Sequence, residues 1–155
     1  MYSLPISKRS VEVVVAHLID RNQARLLIAQ SRNISVDKLP ETKDLDGLKQ
    51  MAVEIQRLGP KYVLLKGGHL PLNANEMAVT SNEDAVQVIN VLTDGNVTTI
   101  YTSPYSKSRN THGTGCTLAS AVASQLALGK DMANAVRLAT SYVGMSGLPP
   151  IMLLT

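Results

Sequence analysis

A glycine-punctuated segment at 110–117, with the sequence NTHGTGCT, constrains the fold more than any other part of this chain. It runs straight into a helical pattern at 118–128. Gly113 and Gly115 can adopt backbone angles that other residues avoid, and they let a ligand approach the main chain closely. The first N–H groups of the following helix would point out of its positive N-terminus. The segment therefore predicts a pocket for an anion, most often phosphate.

Cys116 is the candidate reactive residue of this segment. It would lie in the first turn of the predicted helix, a place that in general favours the thiolate form of cysteine. A phosphate pocket beside a group that can accept a proton from a hydroxyl predicts phosphoryl transfer. The glycine spacing fits neither the P-loop nor the dinucleotide fingerprint. Two structural alternatives stay open: a tight loop that binds nothing, and Cys116 as a small buried apolar residue.

The composition indicates one globular domain, 1–155, with an aliphatic core. The chain has 155 residues, of which 45% are hydrophobic and 17% charged, with no Phe or Trp. This length is sufficient for a core of its own. The net charge of +3 suits an anionic small ligand. A nucleic-acid binder would need a denser basic surface with aromatic side chains, so we expect no nucleic-acid partner.

Cysteine content and hydropathy predict a cytoplasmic location. A single cysteine excludes an internal disulfide and favours a reducing compartment. The first ten residues lack the basic and apolar pattern of a signal peptide. The longest weakly polar run, 118–128, is too short to span a bilayer. We therefore expect no membrane partner.

Strand and helix patterns alternate along the chain. Residues 44–58 have helical spacing of apolar residues behind a capping aspartate, either Asp44 or Asp46. Asp94 and Gly95 between two apolar runs are typical of a hairpin turn. The order predicts an α/β sheet with an antiparallel edge. The predicted elements are a strand at 11–16, a helix at 22–30, a loop at 31–42, a helix at 44–58, a strand at 61–66, a polar loop at 71–83, strands at 85–92 and 97–102, and helices at 118–128 and 132–145.

Three segments together resemble a known family. They are 66–69 (KGGH) after a strand, 94–95 (DG) in a hairpin, and 110–120 at the start of a helix. In this order and spacing they look like the C-terminal half of the phosphomethylpyrimidine kinases, a family of the ribokinase-like superfamily. The resemblance covers about 24–143. It implies an α/β, ribokinase-like three-layer sandwich that is incomplete, because it lacks the N-terminal strands.

The resemblance also implies an activity and roles for single residues. Enzymes of this family phosphorylate hydroxymethylpyrimidine and its monophosphate with ATP and Mg²⁺ in thiamine biosynthesis. By resemblance, Cys116 would be the catalytic base and Lys66 would reach the ATP phosphates, although Lys66 could also be an ordinary strand-end lysine in solvent. The anion hole that holds the transferring phosphoryl group would consist of Gly113, Thr114 and Gly115. Further candidates for contacts with substrate or nucleotide are Gly67, Gly68, His69, Asn110 and His112.

The chain departs from the family pattern where an acidic residue helps to organise Mg²⁺. The family has Asn-x-x-Glu before its first matching helix, whereas this chain has Asp20 and Gln23 at those two positions. A neutral amide is a poorer ligand for Mg²⁺ than a carboxylate. The sequence therefore leaves the metal ligands undetermined, with Asp20 as a substitute three residues away.

A second departure is that residues 1–19 have no recognisable equivalent of the family's N-terminal half, so we expect that half to be missing from this chain. A sheet without its first strands would expose an apolar edge for a partner or a second copy, so a homo-oligomer stays open. Two alternatives to an active pyrimidine kinase follow. One is a non-catalytic remnant or nucleotide-binding subunit, and the other is a pyridoxal-type kinase, which shares the phosphate loop. Cys116 in place of an aspartate favours the pyrimidine substrate. The residues that contact adenine are not evident from the sequence.

Overall fold

Four strands and four helices make up the part of the chain that the structure describes, residues 16–67, 72–79, 85–105 and 114–145 of a computed structural model. No helix within these ranges is long and apolar enough to cross a bilayer. A short 3-10 turn, Val36–Lys38, lies within the predicted loop at 31–42. The elements are β1 Ala16–Asp20, α1 Arg21–Ser31, α2 Leu45–Gln56, β2 Tyr62–Lys66, β3 Gln87–Thr93, β4 Thr98–Pro104, α3 Thr114–Ala127 and α4 Met132–Met145.

The strands form one sheet in the order β1-β2-β3-β4. β1 and β2 are parallel, whereas β3 is antiparallel to both β2 and β4. The β3–β4 turn is closed by Asp94, whose carboxylate accepts hydrogen bonds from the backbone N–H groups of Asn96 and Val97. These bonds lower the pKa of Asp94. Gly95 in this turn has a φ of +92°, which glycine adopts without strain. The predicted hairpin and antiparallel edge are confirmed.

Helices cover both faces of the sheet. Successive strand side chains point to opposite faces, and in β2 the buried Val63 and Leu65 join the core under α1 and α2. Leu64 between them joins the second core, under α3 and α4. The result is the three-layer α/β/α arrangement expected from the sequence.

Helix α2 follows the predicted pattern closely. Of the two candidate caps, Asp44 is the one used, since its carboxylate accepts a hydrogen bond of 2.8 Å from the N–H of Gly47. Leu48 and Ile55 are almost completely buried, as predicted. The prediction was wrong for Leu58, because the helix ends at Gln56 and the Leu58 side chain is 49% exposed.

Two other expectations need correction. The first strand was predicted at 11–16, but the described strand is Ala16–Asp20, and 11–15 lie outside the described residues. Only two strongly apolar residues mark this strand in the sequence; its pairing with the buried strand β2 defines it. The segment 71–83 was predicted as a polar loop. Leu72 within it is completely buried and forms isolated bridges to Ala78 and Gln87.

The α2 cap provides a test of the fold. We expect Asp44→Ala to lower the free energy of unfolding by about 1 kcal/mol, because the N–H of Gly47 loses its acceptor. Urea denaturation measures the change. The matched control is Asp46→Ala in the same turn, where a side chain 79% exposed to solvent pairs with Lys49. We expect a smaller loss there, and an equal or larger loss from Asp46→Ala would contradict the capping role.

Candidate functional site

Helix α3 begins four residues before position 118, where the apolar pattern predicted its start. The helix begins at Thr114, so that Gly115 and Cys116 lie in its first turn. Leu118 is buried and anchors this turn on the sheet. Cys116 is exposed, and the alternative of a small buried apolar cysteine is therefore wrong. The preceding candidates, Asn110, His112 and Gly113, lie outside the described residues.

Lys66 ends strand β2 and lies beside this helix turn. The apolar residues of β2 before it are buried, and Lys66 itself is half-buried rather than fully in solvent. A Cβ atom added to Gly115 would lie 3.0 Å from Lys66 Nζ. The ammonium group therefore lies against the first turn of α3. The structure thus brings together two predicted site residues that are far apart in the sequence.

The charge around Lys66 favours an anion. Among the described residues, no carboxylate lies within 4.0 Å of its ammonium group. The first N–H groups of a helix lack intrahelical acceptors and carry the positive end of the helix dipole. The ammonium and the start of α3 thus add their positive potentials at one place. This is a physical basis for binding phosphate.

Gly67 has a packing role of its own. A Cβ atom at this position would lie 2.1 Å from the backbone oxygen of Ile89 in β3. Only glycine can pass so close to the neighbouring strand. This contact explains Gly67 without a ligand. The next two residues of the motif, Gly68 and His69, lie outside the described residues.

A polar row crosses the sheet at Lys66. The strand register places Asp20 of β1, Lys66 of β2, Asn90 of β3 and Tyr101 of β4 opposite one another. Leu18, Leu64 and Tyr101 belong to the core under α3 and α4. Because side chains alternate between faces, all four row positions lie on the face that carries α3. Asn90 and Tyr101 were not predicted as site residues; the signal for Asn90 was an amide in the apolar interior of β3.

The outer two members of this row already have partners. The Tyr101 hydroxyl donates a hydrogen bond of 2.9 Å to the backbone oxygen of Ala133 in α4. Burial raises the pKa of the Tyr101 phenol, and the negative charge of Asp131 raises it further. At the other end of the row, the Asp20 carboxylate accepts a 3.0 Å hydrogen bond from the N–H of Gln23.

The Asp20–Gln23 pair also explains the departure from the family's acidic residue. The Gln23 side chain accepts a 3.4 Å hydrogen bond from the N–H of Asp20, which completes a reciprocal capping box at the start of α1. Glutamine and glutamate serve this motif equally. In the described part of the chain, no cluster of three or more His, Cys, Asp or Glu side chains could hold a metal ion. Asp20 remains the carboxylate in register with Lys66.

A groove of about 570 Å³ runs between α3 and α4 and includes Cys116. Hydroxyl and amide side chains of α3 form one wall, and Tyr142 of α4 lies opposite them. The thiol is therefore accessible from solvent as well as close to the turn that meets Lys66. The lining residues are Cys116, Thr117, Ser120, Ala121, Ser124, Gln125, Leu138, Ala139 and Tyr142.

Solved structures show the same fold. Pyridoxal kinase from Staphylococcus aureus aligns with a TM-score of 0.62 at 22% identity, covering 83% of this chain and 40% of that protein. Pyridoxal kinase from Bacillus subtilis, solved as an ADP complex, aligns with a TM-score of 0.59 at 24% identity, covering 82% and 40%. The ribokinase-like fold expected from the sequence is confirmed.

Sequence comparison identifies the family. A putative hydroxymethylpyrimidine/phosphomethylpyrimidine kinase 2 from Schizosaccharomyces pombe is 37% identical over 128 residues, which are 81% of this chain and 22% of that protein. A hydroxymethylpyrimidine/phosphomethylpyrimidine kinase from Streptomyces coelicolor is 33% identical over 146 residues, 89% of this chain and 48% of that protein. The chain thus spans less than half the length of either relative. Because the phosphomethylpyrimidine kinase family matches residues 6–147, nearly the whole sequence, this chain belongs to that family.

Proposed function

We propose that this chain carries the phosphate-binding and proton-accepting part of an ATP-dependent kinase for hydroxymethylpyrimidine and its monophosphate, in thiamine biosynthesis. One observation supports the proposal most: Lys66 Nζ lies against Gly115, in the same helix turn as the exposed Cys116. Phosphoryl transfer needs little from a protein beyond positioning and charge stabilisation. A cation, a helix N-terminus and an accessible thiol at one place supply both.

The phosphoryl group would be held between Lys66 and the main chain at 113–115. Backbone N–H groups of Gly113, Thr114 and Gly115 would donate to its oxygens, as in other preorganised anion holes. Lys66 would hold the neighbouring phosphate of ATP as a point charge. Both contacts would strengthen as negative charge shifts during transfer.

Cys116 would act as the base for the substrate hydroxyl. Its thiolate accepts the proton while the hydroxyl oxygen bonds to the γ-phosphorus of ATP. The bond between that phosphorus and the bridging oxygen breaks at the same time, and ADP leaves. Proton transfer to a positioned group contributes about 10²–10⁴-fold to rate in general.

Mg²⁺ in such a reaction neutralises phosphate charge. It is held largely by phosphate oxygens and water, with one or two carboxylates. Asp20 is the described carboxylate that fits this role, because it is in register with Lys66. One of its oxygens accepts from the N–H of Gln23, and a carboxylate retains further lone pairs.

The choice of pyrimidine over pyridoxal rests on Cys116 and on the matched family. The solved structures with this fold are pyridoxal kinases, and a pyridoxal-type substrate is the second candidate. Competition of pyridoxal against hydroxymethylpyrimidine in a binding assay separates the two. The preferred substrate should displace the other one at the lower concentration.

The kinase activity can be tested directly on the purified chain. With ATP, Mg²⁺ and hydroxymethylpyrimidine, whose hydroxyl is the group that Cys116 would deprotonate, we expect the monophosphate product by mass spectrometry, and Cys116→Ala should lower kcat by about 10²-fold or more at unchanged nucleotide affinity. The control is Ser124→Ala, which alters another lining residue of the α3–α4 groove and should retain activity. ADP binding without any turnover would instead indicate a nucleotide-binding subunit.

Gly115→Ala tests the anion hole separately from catalysis. Alanine favours helix over glycine by up to about 1 kcal/mol, so the variant should be as stable as the parent or more stable. Its methyl group would lie 3.0 Å from Lys66 Nζ and push the ammonium away slightly, and we expect ADP to bind more weakly, by up to about tenfold. Calorimetric titration and thermal unfolding measure the two effects.

Ser120→Ala, at an exposed position of the same helix, is the control for Gly115→Ala and should leave ADP affinity unchanged. Parental affinity in Gly115→Ala would show that phosphate binds elsewhere.

A further inference from the structure

The side chain of Asn90, in the polar row, has no hydrogen-bond partner among the residues that the structure describes. Asp20 caps α1 and Tyr101 bonds to α4. Lys66 reaches Gly115. No described residue hydrogen-bonds to the Asn90 amide, although Asn90 is only half exposed and lies in the interior of β3. The amide is not among the described buried polar atoms that lack a partner, so solvent and an incoming ligand can reach it.

The strand itself gives no structural reason for an amide here. β3 reads QVINVLT, and Ile89, Val91 and Leu92 beside Asn90 are buried. Asparagine is depleted in strands, where β-branched residues pack better. An aliphatic residue at this position would serve the sheet better.

The register places this amide beside the candidate phosphate site. Asn90 pairs directly with Lys66 across the antiparallel strands, and Cβ atoms of such pairs are about 4.5–5.5 Å apart. Both positions lie on the face that carries α3, and Lys66 Nζ extends to the first turn of that helix. The Asn90 side chain therefore leaves the sheet next to that of Lys66, on the face that carries α3.

We infer that Asn90 is a third group that binds the nucleotide, with its amide N–H donating to a phosphoryl oxygen beside Lys66. This inference rests on the proposed function. A neutral amide adds a directed donor and leaves the charge of Lys66 available to the phosphate. A carboxylate at this position would face the ammonium and compete with the anion for it. The ligand is the polyphosphate chain of a nucleotide, which supplies the missing hydrogen-bond partner.

The substitution Asn90→Leu tests this role, since leucine has a similar size and no polar group. The probes are ADP and inorganic tripolyphosphate, titrated calorimetrically into the 155-residue chain. We expect both probes to bind about tenfold more weakly, since hydrogen bonds to charged groups are among the stronger ones. The midpoint of thermal unfolding without ligand should stay constant or rise, because an unpartnered amide is replaced by an apolar group.

Two further variants serve as controls for the effect of Asn90→Leu on binding. Thr99→Val changes a half-exposed residue of β4 in the next row on the same face, opposite Leu92, and should leave both affinities unchanged. Lys66→Met should weaken both probes strongly. If Lys66→Met weakens binding but Asn90→Leu does not, the inference about Asn90 is wrong and the phosphate site stands.

A loss of affinity accompanied by a clear drop in thermal stability would also overturn the inference, because it would indicate a structural role for Asn90. If neither probe binds the parent chain, the phosphate site itself fails, and with it the proposed function.

Discussion

The burial of β2 between two layers of helices is the constraint on which the rest of the structure depends. Its three central residues, Val63, Leu64 and Leu65, are almost fully removed from water and serve both cores at once. Burying a side chain of this size contributes about 1.5–3 kcal/mol relative to exposure. β2 pairs with β1 on one side and β3 on the other, so its position determines the register of both neighbouring strands.

The same constraint creates the candidate site. The apolar run ends at Lys66, close to the point where α3 begins on the same face. Gly67 follows it, and any side chain there would collide with the Ile89 oxygen. The ammonium of Lys66 consequently lies against Gly115 and not in open solvent. A strand end and a helix start, each ordinary by itself, together form a place of concentrated positive potential.

The polar row at this edge shows how the fold divides structural from functional groups. Asp20 and Gln23 are bound to each other in the cap of α1, and Tyr101 is bound to α4. These contacts hold the two flanks of the row. Lys66 and Asn90 between them have no such bonds among the described residues, and Lys66 lies against the start of α3. A preorganised binding site needs side chains that their neighbours hold in place, beside groups that can still bind the ligand.

The departure at Gln23 illustrates the limit of reasoning from motifs. By comparison with the family, glutamine in place of glutamate looked like a loss of metal-binding capacity. In the folded chain the Gln23 side chain accepts a hydrogen bond in the capping box of α1. Glutamine and glutamate both occur at this position of the motif. The carboxylate of Asp20 lies at the sheet edge instead, in register with Lys66.

The sequence by itself determined the class of fold, the hairpin at Asp94 and Gly95, most of α2, and family membership through the segment at 110–120. These features depend on residues that are close together in the sequence: the helical periodicity, the capping and turn residues, and the glycine-containing motif at 110–120. Only the tertiary structure decided that β1 runs to Asp20, that Leu72 is buried, and that Asn90 and Tyr101 stand in one row with Lys66. Strand register and the packing of helices on a sheet depend on contacts between distant segments, and no local pattern in the chain encodes them.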